Sequence, residues 1–158
     1  MLIPVLLAMV LVGADIKDGA PMPQRYAWNK DGCTGQNMQP HVGWSGVPRG
    51  TKSLVLTVVD HDAPKPGGWV HLLSLGMRPT SRGLGRRAQP GVDALNDFGV
   101  QGWGGPCPPP GQLHHYTFTL DALDVAPAFA FHTTLAEYRA RTRGHVLASA
   151  RMVPVYKR

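Results

Sequence analysis

The sequence is short of several things, and each shortage narrows what the protein can be. It has only two cysteines, Cys33 and Cys107, in 158 residues. Two cannot build a disulfide framework, and their spacing fits no zinc motif. Two free thiols are the expectation, with a bridge as the alternative if the protein is exported. The apolar stretch from Met1 to Ala14 is too short to cross a bilayer as a helix, so no integral membrane span is expected. Its end, Val12-Gly13-Ala14, has the small residues a signal peptidase needs, but no basic segment precedes it. We read Met9 to Gly19 as containing a first strand and Met1 to Ala8 as an extension. A cytoplasmic location goes with that reading, and a secreted or periplasmic one with the signal reading. Acidic side chains are also scarce, 10 against 16 Lys and Arg, for a formal charge of +6. The basic residues are dispersed and the aromatics are not interleaved with them, so nucleic acid is not the expected partner. A solvated basic surface that attracts anions is the simpler reading. Finally, no serine or cysteine nucleophile motif is present. Ser74 falls on the strand face opposite His71, and Cys107 is flanked by prolines with no identifiable base.

What the sequence has is glycine and proline, 19 and 15 of them, between short β-prone runs. That composition predicts a loop-rich, mainly β protein, and the length suits one domain over residues 1–158. The chemistry gathers between two predicted strands. Ser53 to Val59 is an unbroken β-prone run, Trp69 to Leu75 is a second strand, and between them lies Asp60-His61-Asp62-Ala63-Pro64. Pro66-Gly67-Gly68 turns the chain back, bringing His71 towards Asp60 and Asp62. A second stretch, Gly102 to Gly111, is a stiff loop of glycine and proline that leads into a strand from His114 to Leu120. Alternation puts His114 and Tyr116 on one face and His115 on the other. Arg78 to Gly91 has no periodicity and reads as an exposed excursion, after which Asn96-Asp97-Phe98-Gly99 returns to the site. Thr134-Leu135-Ala136-Glu137 is a capping box that starts a helix, with Leu135, Tyr138 and Thr142 on one face. Val146, Leu147 and Ala150 suggest a second short helix before Pro154.

These motifs, in this order, resemble the phosphatidylethanolamine-binding protein family, which includes the Raf kinase inhibitor proteins, and most of all its bacterial and archaeal branch. Asp60-His61-Asp62-Ala63-Pro64 is similar to the family's Asp-Pro-Asp-Ala-Pro, and Trp69-Val70-His71 to its Trp-x-His. The Gly105-Pro106-Cys107-Pro108-Pro109-Pro110-Gly111 loop followed by His114-His115-Tyr116 is similar to its second motif. Two departures stand out. His61 replaces a proline, and His115 replaces an arginine, which predicts the loss of a surface pairing. The resemblance implies a large antiparallel sheet packed with a smaller sheet, with C-terminal helices. It also implies binding without turnover.

The expected ligand-binding residues are Asp60, Asp62, His71, Gly104, Gly105, Pro106, His114 and Tyr116, with no catalytic residue, metal or cofactor. Histidines beside carboxylates favour their protonated forms, which would make a nearly neutral site with separated poles. Such a site suits a small anionic or phosphorylated ligand, a phospholipid head group or similar, phosphate or phosphoethanolamine-like. Its phosphate would meet His71, His114 and the N–H groups of Gly104 and Gly105, and its ammonium would meet Asp60 or Asp62. A protein target, kinase or protease, and a homodimer complete the expected partners. The alternative is a metal-assisted or acid–base hydrolase using the same Asp/His cluster.

Overall fold

The structure is a computed structural model and describes residues 8–85 and 91–158. Most of the extension or signal expected at the N-terminus, and residues 86–90 of the excursion between Arg78 and Gly91, lie outside the described residues.

Ser53 to Asp60 forms strand β3, and every one of its side chains is buried. An unbroken apolar run is what a strand needs when both faces of its sheet are covered. On one side β3 pairs antiparallel with β4, Trp69–Met77, and on the other with β7, Leu113–Leu123. The short β6, Val92–Asp93, and β8, Val146–Met152, complete a sheet of order β6-β4-β3-β7-β8, and β9, Val155–Lys157, pairs with the start of β7. A smaller antiparallel sheet of order β1-β2-β5 contains Val10–Gly13, Val42–Ser45 and Gly83–Leu84. One core lies between the sheets, where Leu11, Trp44 and Leu84 meet Leu56, Tyr116 and Phe118. A second core, on the other face, packs Val55, Val59 and Leu73 against Tyr138 of helix α1, Leu135–Arg141. The two-sheet, mainly β architecture expected from the sequence is the one observed. Among the described residues, no helix is long and apolar enough to cross a membrane.

Three expectations need correction. The segment with Val146, Leu147 and Ala150 is not a helix but the edge strand β8, in register with Phe118 to Leu123 of β7. Pairing with a distant strand overrides the local apolar spacing. There is accordingly one C-terminal helix, and it carries both halves of the capping box at Thr134 and Glu137. The excursion after Arg78 is not wholly exposed, because Leu84 is buried and β5 pairs with β2. The cysteines are not free: Cys33 and Cys107 form a disulfide across 74 residues, with Cα atoms 5.8 Å apart. Their approach is set by the tertiary fold, and no local spacing announces it.

Strand β4 carries a bulge that matters later. Val58 faces Leu72 and Val59 faces Val70, so His71 is an extra residue in the ladder. A bulge breaks the alternation of sides. It leaves His71 beside Tyr116 on the face of the main core, with ring centroids 5.0 Å apart. Ser74, paired directly with Leu56, lies on that same face and not on the opposite one.

Two outcomes test this packing. Replacing both cysteines by serine should lower unfolding stability by about 2–4 kcal/mol in urea, through the long loop the bridge closes. The Tyr116 hydroxyl is buried with no hydrogen-bond partner among the described residues. Tyr116→Phe should therefore leave stability unchanged or raise it by up to about 1 kcal/mol, read from the same curves.

Candidate functional site

The sheet's polar end begins with Asp60, the last residue of β3, which lies opposite Trp69 of β4 and Tyr116 of β7. It is 4% exposed, and its carboxylate is fully engaged. Oδ1 accepts from the backbone N–H groups of Asp62 at 2.8 Å and Ala63 at 3.2 Å, forming the turn that starts the loop. Oδ2 faces Nδ1 of His114 at 2.6 Å, in a pair whose two side chains are each 5% exposed. A carboxylate oxygen only accepts, so Nδ1 of His114 donates. Nε2 of His114 faces Oε1 of Gln112 at 3.3 Å, an acceptor as the amide is oriented. Both ring nitrogens therefore face oxygens.

His71 is chemically the opposite. Its Nδ1 lies 2.5 Å from the carbonyl oxygen of Gly104, which also can only accept, so Nδ1 carries the proton. Burial pushes its pKa down to about 4, against the opposing pull of the Gly104 carbonyl and the Asp60 and Asp97 charges. The ring is hemmed in by Phe98, Trp103 and Tyr116. At neutral pH it is uncharged, and its remaining nitrogen, Nε2, bears a lone pair. The two histidines thus differ from the expected matched pair: His114 donates to the Asp60 carboxylate, and His71 is a neutral ring with an acceptor nitrogen.

Asp60, His71 and His114 line a single cavity of about 310 Å³, walled by Trp69, Phe98 and the prolines Pro64, Pro108 and Pro109. The other expected ligand-binding residues do not line it. Asp62 turns away, accepting at Oδ2 from the backbone N–H of His115 at 2.7 Å and from its ring at 2.8 Å. Burial raises the Asp62 pKa, but the His115 ring and backbone hydrogen bonds outweigh it and hold the carboxyl below its usual range. His115 does face outward as expected, yet it keeps a surface partner. The N–H groups of Gly104 and Gly105 do not point to a ligand either, because they are donated to the His71 carbonyl at 2.9 Å and to Asn37 Oδ1 at 2.7 Å. The Pro106 carbonyl accepts from the Trp28 N–H. Tyr116 lies beneath His71, its hydroxyl pushed above the usual phenol range by burial and by the Asp60 and Asp62 charges. Gly104, Gly105, Pro106 and Tyr116 lie behind the lining, and Asp62 lies on the surface. At Gly105 a Cβ would lie 2.0 Å from the Tyr26 carbonyl oxygen, so only glycine allows that close approach.

The cavity also gains two lining residues that the motifs do not flag, Asp31 and Arg158, and Cys107 of the proline loop joins them. Asp31 sits in the Asn29-Lys30-Asp31-Gly32 turn in left-handed backbone geometry, φ 54°, and accepts from the Trp28 indole N–H at 3.0 Å. Its turn chemistry is visible in the sequence, but its place at the cavity is not. Arg158 arrives through the pairing of β9 with β7. Among the described residues, no three His, Cys, Asp or Glu side chains converge as a metal-ligand set. A second cavity of about 260 Å³ lies between the Lys65–Gly68 turn and α1, beside the Lys65–Asp97 ion pair. No histidine lines it.

Comparison with known proteins agrees with this geometry. The phosphatidylethanolamine-binding protein family model matches residues 12–157. The chain is 38% identical to UPF0098 protein YbhB of Escherichia coli over 125 residues, 74% of this chain and 79% of that protein. It is 36% identical to a UPF0098 protein of Methanothermobacter thermautotrophicus, over 89% of this chain and 93% of that one. The crystal structure of Escherichia coli YbcL, presented as a new member of the mammalian PEBP family, superposes with a TM-score of 0.88 at 33% identity, covering 96% of this chain and 99% of YbcL. With the Asp60 turn, the two histidines and the glycine-proline loop in place, the chain belongs to the phosphatidylethanolamine-binding protein family.

Proposed function

We propose that the protein is a non-enzymatic binding protein whose cavity takes the terminal phosphate of a small phosphomonoester, phosphoethanolamine-like, in its singly protonated form. The observation that carries this is the fixed tautomer of His71. With Nδ1 donated to Gly104, the ring offers the cavity an acceptor and not a donor. A phosphate bearing one P–OH group matches it, donating to Nε2 of His71 while an anionic oxygen displaces the long 3.3 Å contact of Gln112 Oε1 at Nε2 of His114. A phosphodiester has no such proton to give. The ammonium of the ligand goes to Asp31, whose Oδ1 is not the oxygen held by Trp28. Asp60 is already saturated and Asp62 lies outside the cavity, so neither serves it.

The hydrolase alternative has less support. The lining contains no serine or threonine, and its cysteine is disulfide-bonded. The bridge also fits an oxidising compartment, where disulfides persist, better than the cytoplasm.

The test is calorimetric titration of phosphoethanolamine, inorganic phosphate and glycerophosphoethanolamine at pH 6 and pH 8. The groups around the bound phosphate are His71, His114, Asp60, Asp31 and Arg158 from the lining, with Asp97 behind. Because the second phosphate pKa is about 6, the singly protonated form falls roughly fiftyfold between the two conditions, and affinity should fall with it. Monoester and inorganic phosphate should bind at pH 6, the diester should not, and His114→Ala should abolish the heat. Binding that is equal at both pH values, or tighter for the diester, would overturn the assignment. Without ligand, the depressed His71 pKa has a second effect. The unfolded chain takes up this proton below about pH 6.5 and the folded chain only near 4, so stability contributed by neutral His71 is present above 6.5 and lost as pH falls towards 4. The loss should be about 3 kcal/mol, smaller in His71→Asn, as read by urea unfolding across that range.

A further inference from the structure

We propose that Arg158 is a ligand-binding residue of this cavity, the cation that pairs with the phosphate, and that the Cys33–Cys107 disulfide holds it in place. The inference rests on the phosphomonoester reading above and adds to it a residue and a redox dependence.

The charges lining the cavity leave one opening for an anion. His71 is neutral, His114 is already paired with Asp60 at 2.6 Å, and Asp31 is itself negative. Arg158 is the lining cation with no carboxylate partner among the described residues. Its Nη1 donates to Cys33 Sγ at 3.0 Å and lies 3.7 Å from Cys107 Sγ. Sulfur is a weak acceptor and carries no charge here, so it positions the guanidinium without neutralising it. The remaining N–H groups of the planar fork stay available, and their geometry suits two phosphate oxygens at once.

Its placement is built from several sides. The Arg158 carbonyl accepts from the Gly111 N–H at 2.9 Å, and Lys157 pairs with Leu113 in the β9–β7 ladder. The guanidinium passes over Gly32, where an added Cβ would lie 3.5 Å from Nη1. The disulfide ties the turn carrying Gly32 to the proline loop carrying Cys107, and both form the cavity rim with Asp31, Pro108 and Pro109. Reduction removes that tie and turns the sulfur platform into two separately mobile thiols. The cation then loses its fixed position at the mouth.

The experiment is calorimetric titration of phosphoethanolamine at pH 6 into wild type, Arg158→Gln, Arg158→Lys and His114→Ala, each oxidised and after reduction with dithiothreitol. Arg158 is exposed, so its variants should fold as wild type does. Arg158→Gln should weaken binding about ten- to hundredfold, the range for a charge-assisted hydrogen bond. Arg158→Lys should fall between the two, since lysine keeps the charge but lacks the fork. Wild-type affinity should drop with added salt, and more steeply than that of Arg158→Gln. Reduction should weaken wild type but add little to Arg158→Gln, because the bridge acts through that side chain. Wild-type affinity in Arg158→Gln, with binding abolished in His114→Ala, would overturn the Arg158 assignment and leave the phosphate pocket standing. No heat from wild type at all would overturn both. A melting curve of the reduced protein separates loss of the bridge from loss of the fold; if the fold is lost, the oxidised Arg158 series decides.

Discussion

The structure depends on one buried carboxylate. Asp60 ends the central strand with its charge out of water, and such a charge is tolerated only where it is paired and hydrogen-bonded. The N–H groups of Asp62 and Ala63 and the ring of His114 supply those bonds. The same three contacts define the start of the loop and the orientation of His114 at the head of β7. From β7 the constraint passes to β9, because His114 pairs with Tyr156, and so to the position of Arg158. Removing any one partner would leave a costly charge in the core, which ties the local chemistry to the fold.

How much of this was legible in the sequence follows from how local each feature is. The β3 run, the β7 alternation and the capping box at Thr134 are patterns of neighbours, and they predict their elements correctly. Asp60, His71 and His114 are readable as a site because the turn residues between the strands bring them to one end of the sheet. The bulge is not readable, since one extra residue in a ladder leaves no trace in hydropathy. Strand β8 mimics a helix because Val146, Leu147 and Ala150 happen to have a helix-compatible spacing. The disulfide, Asp31 and Arg158 depend on contacts between segments far apart in the chain. Asp62 looked like a ligand group from its motif, yet its partner is His115 on the adjacent strand, at the position where the family resemblance leads one to expect arginine.

The bulge also explains how two histidines in one cavity come to differ in their hydrogen-bond partners. His114 belongs to a regular strand and meets a carboxylate from the neighbouring one. His71, displaced from the ladder, is set among aromatic rings and meets a backbone carbonyl. The first environment stabilises a positive charge, and the second excludes one. A family motif counted only by residue type treats the two as equivalent, whereas their surroundings assign them opposite roles in hydrogen bonding.

The close crossing at Gly105 limits how this cavity can change over time. There the loop rests against the Tyr26 carbonyl with no side chain between them, so the wall is backbone against backbone. Substitutions cannot thicken or thin such a wall as they can a lining of leucines and valines. The backing behind the histidines is therefore inherited with the fold, and variation falls to the lining side chains at Trp69, Phe98, Ala63, Pro64 and the proline loop. Descendants of this chain that acquire new ligands would keep the same grip on the charged end and change what surrounds the tail.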